Sequence, residues 1–418
     1  MKSSVFRSFL QCEEVKKSKE LVILDGPDNV LHLANLILAF CENGSFLQYE
    51  VVKKSKELIL IDGPDNVLHL ANFFVTGDPK LKSFRDAINV FRMAEYYEIE
   101  ELRSICRKYL LHNLHLSNVC EVYEFACEKE DDLLKFNCWK IFDNCWFTVI
   151  HSSSFLQSGT ETIMTFVSRP KYKAFNEFIL FKSIYNWACR KYFNNRDDEE
   201  EAVKFEKIRE YMLPYLPLVR FLSMNTDELR KVFSTNVLTS SEIKYITSSM
   251  NNCLHPRART ICSLSKKRTE ECYSSLIVYV NRHEHGDRLE RFVDAETNFY
   301  CTFYSLENCF LTHVILPIKK PTSTPIDGVR MALTYSGFSL TGNYSCSSSG
   351  EISLECPKYL NKRELVTIVC QLPTNLLLSE RIKVCLGAKL FVTPIETLSR
   401  DPLEKPWNKY YLKIRLYF

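Results

Sequence analysis

His283-Glu284-His285, with Asp287 close behind, could offer two imidazoles to a metal. Two imidazoles at i,i+2 need a third and a fourth ligand to make a zinc site, and the adjoining Gly286-Asp287 reads as an exposed polar turn, which is the favoured reading. Gly337-Phe338-Ser339-Leu340-Thr341-Gly342 is one residue too long for a G-x-S-x-G nucleophile elbow and lies in a β-hairpin pattern rather than a strand-to-helix turn. Cys301, Cys309 or Cys346 could act as a nucleophile with a distant histidine, but no spacing pairs them. His112 and His115 fall near a helix end, where capping or exposure accounts for them. The acidic run Asp197 to Glu201, flanked by Asn194-Asn195-Arg196, reads as a solvated loop or a helix start rather than a cation site. There is no P-loop and no G-x-G-x-x-G. The sequence therefore assigns no catalytic residue, no cofactor and no metal.

Composition narrows the class further. With 418 residues and 46% apolar content, the chain can build two to four domains with real cores. A net charge of +3 gives no electrostatic case for nucleic acid or an anionic membrane. The 17 cysteines include no CxxC pair, which argues against a zinc ribbon or thioredoxin-type site. The start, Met1 to Arg7, lacks a signal-peptide apolar region, and no apolar run approaches the roughly 18 residues of a bilayer span. A cytoplasmic protein with reduced thiols is expected.

The elements that must position any site are clearest in the middle of the chain. Phe178, Phe181, Ile184, Tyr185 and Ala188 recur at helical spacing, Trp187 widens the stripe, and Glu177 suits the first turn of a helix. Downstream stand Tyr215-Leu216-Pro217-Leu218-Val219-Arg220-Phe221, then Met224, Glu228-Leu229, and Leu238-Thr239 with Glu242. In this order and spacing these residues resemble the BACK domain, the helical module that follows a BTB/POZ domain. The sub-family that fits best joins BTB, BACK and a C-terminal PHR β-sandwich, and its members are substrate adaptors of cullin-3 ubiquitin ligases.

The N-terminal region contains a repeat. Ser8 to Asn35 returns as Ser45 to Asn72, with 23 identities in 28 positions. Each copy reads as a short helix, a charged loop, a strand (Leu21 to Leu24; Leu58 to Ile61), an Asp-Gly-Pro-Asp turn and an apolar helix. Two copies fall short of a solenoid, so an internal duplication or an exon repeated in the gene model remain the two readings. Ser3-Ser4-Val5-Phe6 with Phe9-Leu10, and Phe73-Phe74-Val75-Thr76-Gly77-Asp78, resemble parts of a BTB domain. The resemblance starts part-way into that domain, so the BTB region is expected to be truncated at its front and duplicated in its middle. BTB domains dimerise through that front portion, which implies a monomer.

Phe84 to Leu114 is firmly helical, and Ala94-Glu95-Tyr96-Tyr97 resembles the last BTB helices. Ser117 is a candidate N-cap for the next helix, and Leu133 to Phe142 make a return helix. That pair resembles the 3-box, which enlarges the cullin contact in this family. The resemblance therefore implies partner-binding roles for Asn118, Val122 and Phe125, and for Val51-Val52-Lys53, which stands where the family has an apolar-x-Glu contact motif. The other copy reads Glu14-Val15-Lys16, so both copies place Lys where the family places an acid, a reversal that costs several kcal/mol at an interface.

Asn251 to Lys267, with Pro256, Arg257 and Arg259, reads as a solvated basic linker. After Cys272 the texture turns to short strands: Leu276 to Val280, Phe299 to Tyr304, Phe310 to Pro317, Gly328 to Leu333, Glu351 to Leu354, Leu365 to Leu372, Ile382 to Leu386 and Tyr410 to Tyr417. Turns are expected at Asp327-Gly328, Gly342-Asn343 and Ser349-Gly350. The family's glycine-rich strand is replaced by Val314-Ile315-Leu316-Pro317.

The expected fold is α+β and multidomain. A partial BTB/POZ α/β region spans 1–115 with repeats at 8–35 and 45–72; 116–250 hold the 3-box and an all-α BACK module; 251–271 form the linker; and 272–418 form an antiparallel PHR-like β-sandwich. The expected function is a non-enzymatic adaptor that links the cullin-3 N-terminal region to a protein substrate held by 272–418. The alternative is a BTB-BACK interaction scaffold without a ligase role.

Overall fold

A computed structural model describes residues 69–70, 72–73, 76–96, 98–169, 176–193, 201–251, 260–265, 276–279, 298–305, 308–320, 322–335, 337–373, 383–384, 395–396, 409–411 and 413–417. Nearly all of both repeats, residues 51–53 and the His283–Asp287 cluster lie outside the described residues. The chain divides into two compact units, Met1–Phe125 and Ala126–Phe418.

In the first unit, α1 (Phe84–Tyr96) and α2 (Glu100–His112) pair; α3 (Val119–Glu128) follows and holds the boundary between Phe125 and Ala126. Ala87, Val90, Phe91 and Ala94 give α1 its buried face, and Leu102, Cys106 and Leu110, four residues apart, give α2 a single buried stripe. The Asp86 carboxylate accepts the N–H groups of Lys82 (3.0 Å) and Ser83 (2.9 Å), which fixes the entry into α1.

The second unit carries the remaining helices: α4 (Asp132–Ile150), α5 (Ser153–Gln157), α6 (Thr160–Ser168), α7 (Glu177–Phe193), α8 (Glu201–Met212), α9 (Thr226–Phe233) and α10 (Ser240–Met250). Two short 3-10 turns, Leu216–Leu218 and Phe221–Ser223, join α8 to α9. The return helix foreseen at Leu133–Phe142 continues as α4 to Ile150, with a kink at Cys145 (φ −134°). On α7 the core face is Leu180, Phe181, Ile184, Trp187 and Ala188, while Phe178 and Tyr185 are half-buried. The apolar stripe is thus centred closer to Trp187 than the spacing of Phe178 and Tyr185 implied.

The strands are β1 (Leu276–Tyr279), β2 (Asn298–Ser305), β3 (Cys309–Ile315), β4 (Ile318–Lys319), β5 (Ile326–Tyr335), β6 (Phe338–Cys346), β7 (Glu351–Leu360), β8 (Leu365–Gln371), β9 (Lys383–Val384), β10 (Ile395–Glu396), β11 (Lys409–Tyr411) and β12 (Lys413–Tyr417). They form a four-stranded sheet in the order β1-β12-β3-β7, a larger sheet in the order β10-β2-β8-β5-β6, and a small β4-β9 pair. Pairing is antiparallel except where β11 joins β2. Phe299, Phe303, Val329, Leu333, Val366 and Ile368 of the larger sheet share one apolar core with Leu311, Val314, Ile352, Leu360, Ile414 and Leu416 of the other. The chain is therefore α+β, with antiparallel sheets in its C-terminal region.

Two expected turns are placed differently. Asp327-Gly328 lies inside β5 at a register shift, a bulge rather than a hairpin. Gly342-Asn343 lies inside β6, opposite Met331 and Arg330. The reversal into β6 is made instead around Gly337, whose φ of +78° a side chain would resist. Gly342 is tolerated in the strand because the Tyr344 ring occupies the space beside it. At Ser349-Gly350 the turn falls as expected: φ is +89°, and a Cβ there would lie 2.1 Å from the Leu316 carbonyl oxygen.

Candidate interaction sites

Two constellations concentrate residues singled out by sequence, and a third joins residues from distant elements. The first surrounds Asn118. Its Oδ1 accepts the His115 N–H (2.8 Å) and its Nδ2 donates to the Asn113 carbonyl (2.8 Å), so the side chain ties together the turn before α3. Asn118 is 4% exposed, Val122 0% and Phe125 2%. The Phe125 ring meets Phe91 edge-on at 5.1 Å and lies under the Arg92 guanidinium. Asn118, Val122 and Phe125 thus come together, but as the interior of their unit. The accessible groups around them are Leu116, 36% exposed, and Glu121, which pairs with Arg85 at 3.3 Å. Helical spacing puts Val119, Val122, Tyr123 and Ala126 on one face of α3 and Glu121 off it, a signal that separates Val122 from the accessible set but does not reach Phe125.

The second constellation gathers residues scattered from 158 to 260. Glu177, 5% exposed, accepts the Arg220 backbone N–H (3.3 Å), and the Phe181 ring meets Phe221 at 5.7 Å. Trp187 donates its indole N–H to the Ser158 carbonyl (2.9 Å) and packs edge-on against Tyr215. Asn225 and Glu228 form a capping box on α9, Thr239 and Glu242 one on α10. Arg209 grips Glu242 with two bonds of 2.9 and 2.8 Å. The Thr260 hydroxyl also donates to Glu242, and Ile261 is buried, so this piece of the expected solvated linker is tied down; 252–259 and 266–271 lie outside the described residues. Burial pulls the Glu242 carboxyl upward, but the bonds from Arg209, Thr260 and the Thr239 N–H, with the Arg209 charge, outweigh it and hold Glu242 below the usual carboxylate range.

The third was not foreseen. Helix α4 lies on the outer face of the four-stranded sheet. Trp139 meets Phe310 (5.0 Å) and Tyr359 (6.0 Å), and Phe136 meets Phe310 (5.2 Å) and Tyr417 (5.3 Å), all edge-on or nearly so. Arg169, 2% exposed, sits over the Trp139 ring at 4.1 Å and pairs with Asp143 at 2.6 Å; the Tyr417 hydroxyl donates to the same carboxylate. At the start of α4, the Asp132 carboxylate accepts the Tyr359 N–H and faces Lys358 at 3.9 Å. Burial raises the Asp132 carboxyl, and Lys358, Lys135 and that N–H offset it only in part. Helix α4 and the sheets fall in one compact unit, Ala126–Phe418. The residues of this seam are aromatic in both partners, and nothing in their local periodicity names the partner across the gap.

Among the described residues, no group of three or more His, Cys, Asp or Glu could hold a metal ion. Cys309 and Cys346 are fully buried, and burial pushes the Cys346 thiol up to about 12, away from thiolate chemistry. No described helix is long and apolar enough to cross a membrane. No protein-family model matches the chain, and no curated protein matches its sequence.

Proposed function

We propose that this chain is a non-enzymatic substrate adaptor of the cullin-3 type, in which the N-terminal helices engage the ligase scaffold and the C-terminal sheets hold the protein substrate. The observation that carries this reading is the second constellation. Glu177, Phe181, Trp187, Val219, Arg220, Phe221 and Glu242, on which the resemblance to BACK rests, are all buried or half-buried and are bound to one another or to shared neighbours. Such an adaptor contributes proximity and orientation, while bond-making belongs to the recruited machinery.

A second reading, an interaction scaffold without a ligase, is favoured by two observations. Val122 and Phe125 have no exposed surface to offer a partner, and Lys16 and Lys53 stand where a carboxylate is wanted. Calorimetric titration of the purified chain with the cullin-3 N-terminal region separates the two. Submicromolar binding, weakened about tenfold or more by Leu116→Glu or Glu121→Lys at exposed positions, supports the adaptor. A folded chain that fails to bind at tens of micromolar moves the conclusion to the scaffold. Charged replacements at Val122 or Phe125 would test only the core, because both are interior.

A further inference from the structure

The two sheets end differently. Edge strand β7 carries Pro357 and Lys358, and Asp132 of α4 takes its Tyr359 N–H. These are devices that stop an edge from recruiting another strand. Edge strand β6 has none of them. It is nine residues long and contains no charged residue and no proline. Among the described residues, no strand pairs with its outer side. The other outermost strands, β1 and β10, have only four and two residues.

We infer that β6 is the seat of the protein partner, which adds an extended, uncharged segment as a further strand of the larger sheet. The inference rests on the reading that this region holds a substrate, and it specifies how. Backbone groups of the edge supply affinity, and side chains on alternate faces supply selectivity. On one face of β6 stand Ser339, Thr341 and Asn343, all exposed; on the other stand Leu340, 38% exposed, and half-buried Tyr344. A matching segment therefore alternates hydroxyl or amide side chains with apolar ones. A second copy of this chain is the poorer occupant. One nine-residue strand with a single exposed large aliphatic side chain offers far less than the roughly 800 Å² per partner of a stable dimer, whereas a peptide contact needs no such area.

The test uses the full chain and a nine-residue probe peptide alternating threonine and valine, alongside a twin N-methylated at alternate residues. The inference expects saturable binding of the plain peptide, loss of binding for the twin, about tenfold weaker binding to Thr341→Lys, and an unchanged constant for Thr334→Lys on the neighbouring strand. Equal binding of both peptides, or no saturable binding by folded wild type, overturns it. A concentration-dependent dimer that Thr341→Lys dissolves overturns it in favour of self-association. Cullin binding is read in a separate titration. Peptide capture by a chain that ignores the cullin therefore keeps the β6 seat and removes only the ligase role, and the converse keeps the ligase role and removes the seat.

Discussion

The two sheets of the C-terminal region share a core but differ in what lies on their outer faces. In the four-stranded sheet, Cys309, Phe310, Leu311 and Thr312 of β3 are buried in succession, because Phe310 points away from the sandwich core into Trp139 and Phe136 of α4. In the larger sheet, β8 alternates: Val366, Ile368 and Cys370 are buried, and Leu365, Thr367 and Val369 are not. Its outward row includes Thr302, Thr367, Thr334 and Ser339, aligned across four strands, with Thr302 and Thr367 in hydroxyl contact at 3.2 Å. Beneath α4, β3 is interior on both faces, whereas β8 of the larger sheet is interior on one, and the two strands carry that difference: a continuous buried run against a period of two. Among the described residues, α4 covers part of the outer face of one sheet, and no helix covers that of the other.

Removing the covering should separate them most sharply. Trp139→Ala deletes the ring shared by Phe310, Tyr359 and Arg169, and is expected to cost about 3–5 kcal/mol in denaturant titration. Thr334→Ala, on the bare face, is expected to stay within about 0.5 kcal/mol. Equal costs would mean that the covering is not where the stability difference resides.

Much of this was legible beforehand. Strands β1, β2, β3, β5, β7, β8, β9 and β12 fell on or overlapping the short apolar runs between turn residues, and the helices of the second constellation fell where caps and 3.6-residue spacing put them. What escaped was set by long-range packing. β6, rich in Ser, Thr, Gly and Asn, has a turn-like composition and is a strand because β5 pairs with it. The seam escaped because Trp139 and Phe310 are far apart in sequence and each reads simply as core. The interior placement of Val122 was legible in the spacing of Val119, Val122, Tyr123 and Ala126, that of Phe125 was not, and the family resemblance pointed to a contact role for both.

The ion pair beneath the seam is the next lever. Arg169→Met leaves the Asp143 carboxylate in a largely buried site with the Tyr417 hydroxyl as a hydrogen-bond donor, and should cost about 3 kcal/mol. Arg330→Met, exposed on the bare sheet, should cost no more than about 0.5 kcal/mol. Tyr417→Phe removes one hydrogen bond to that carboxylate and keeps the ring against Phe136, for about 1.5 kcal/mol. A Tyr417→Phe loss as large as that of Arg169→Met would place the strength of the seam in the hydroxyl rather than in the charge.

The smallest effect lies at the edge of the covered sheet and is read through pH. Asp132 has a raised carboxyl in the folded chain, because burial outweighs Lys358, Lys135 and the Tyr359 N–H. A carboxyl that holds its proton more tightly when folded makes the chain less stable as pH climbs from its unfolded value, about 3.9, through the raised folded value, and the loss is recovered on acidification. Asp132→Asn abolishes that slope while keeping an acceptor for the Tyr359 N–H. The variant should therefore compare better with wild type at pH 7 than at pH 4, with a difference at pH 7 inside about 1 kcal/mol. Glu242 makes the control, since its lowered carboxyl contributes stability present above the unfolded value and lost as pH falls through the folded one. Glu242→Gln should accordingly compare worse with wild type at pH 7 than at low pH. If the two variants tilted the same way, the Asp132–Lys358 charge pair would outweigh burial at the start of α4, and the guard on β7 would be electrostatic.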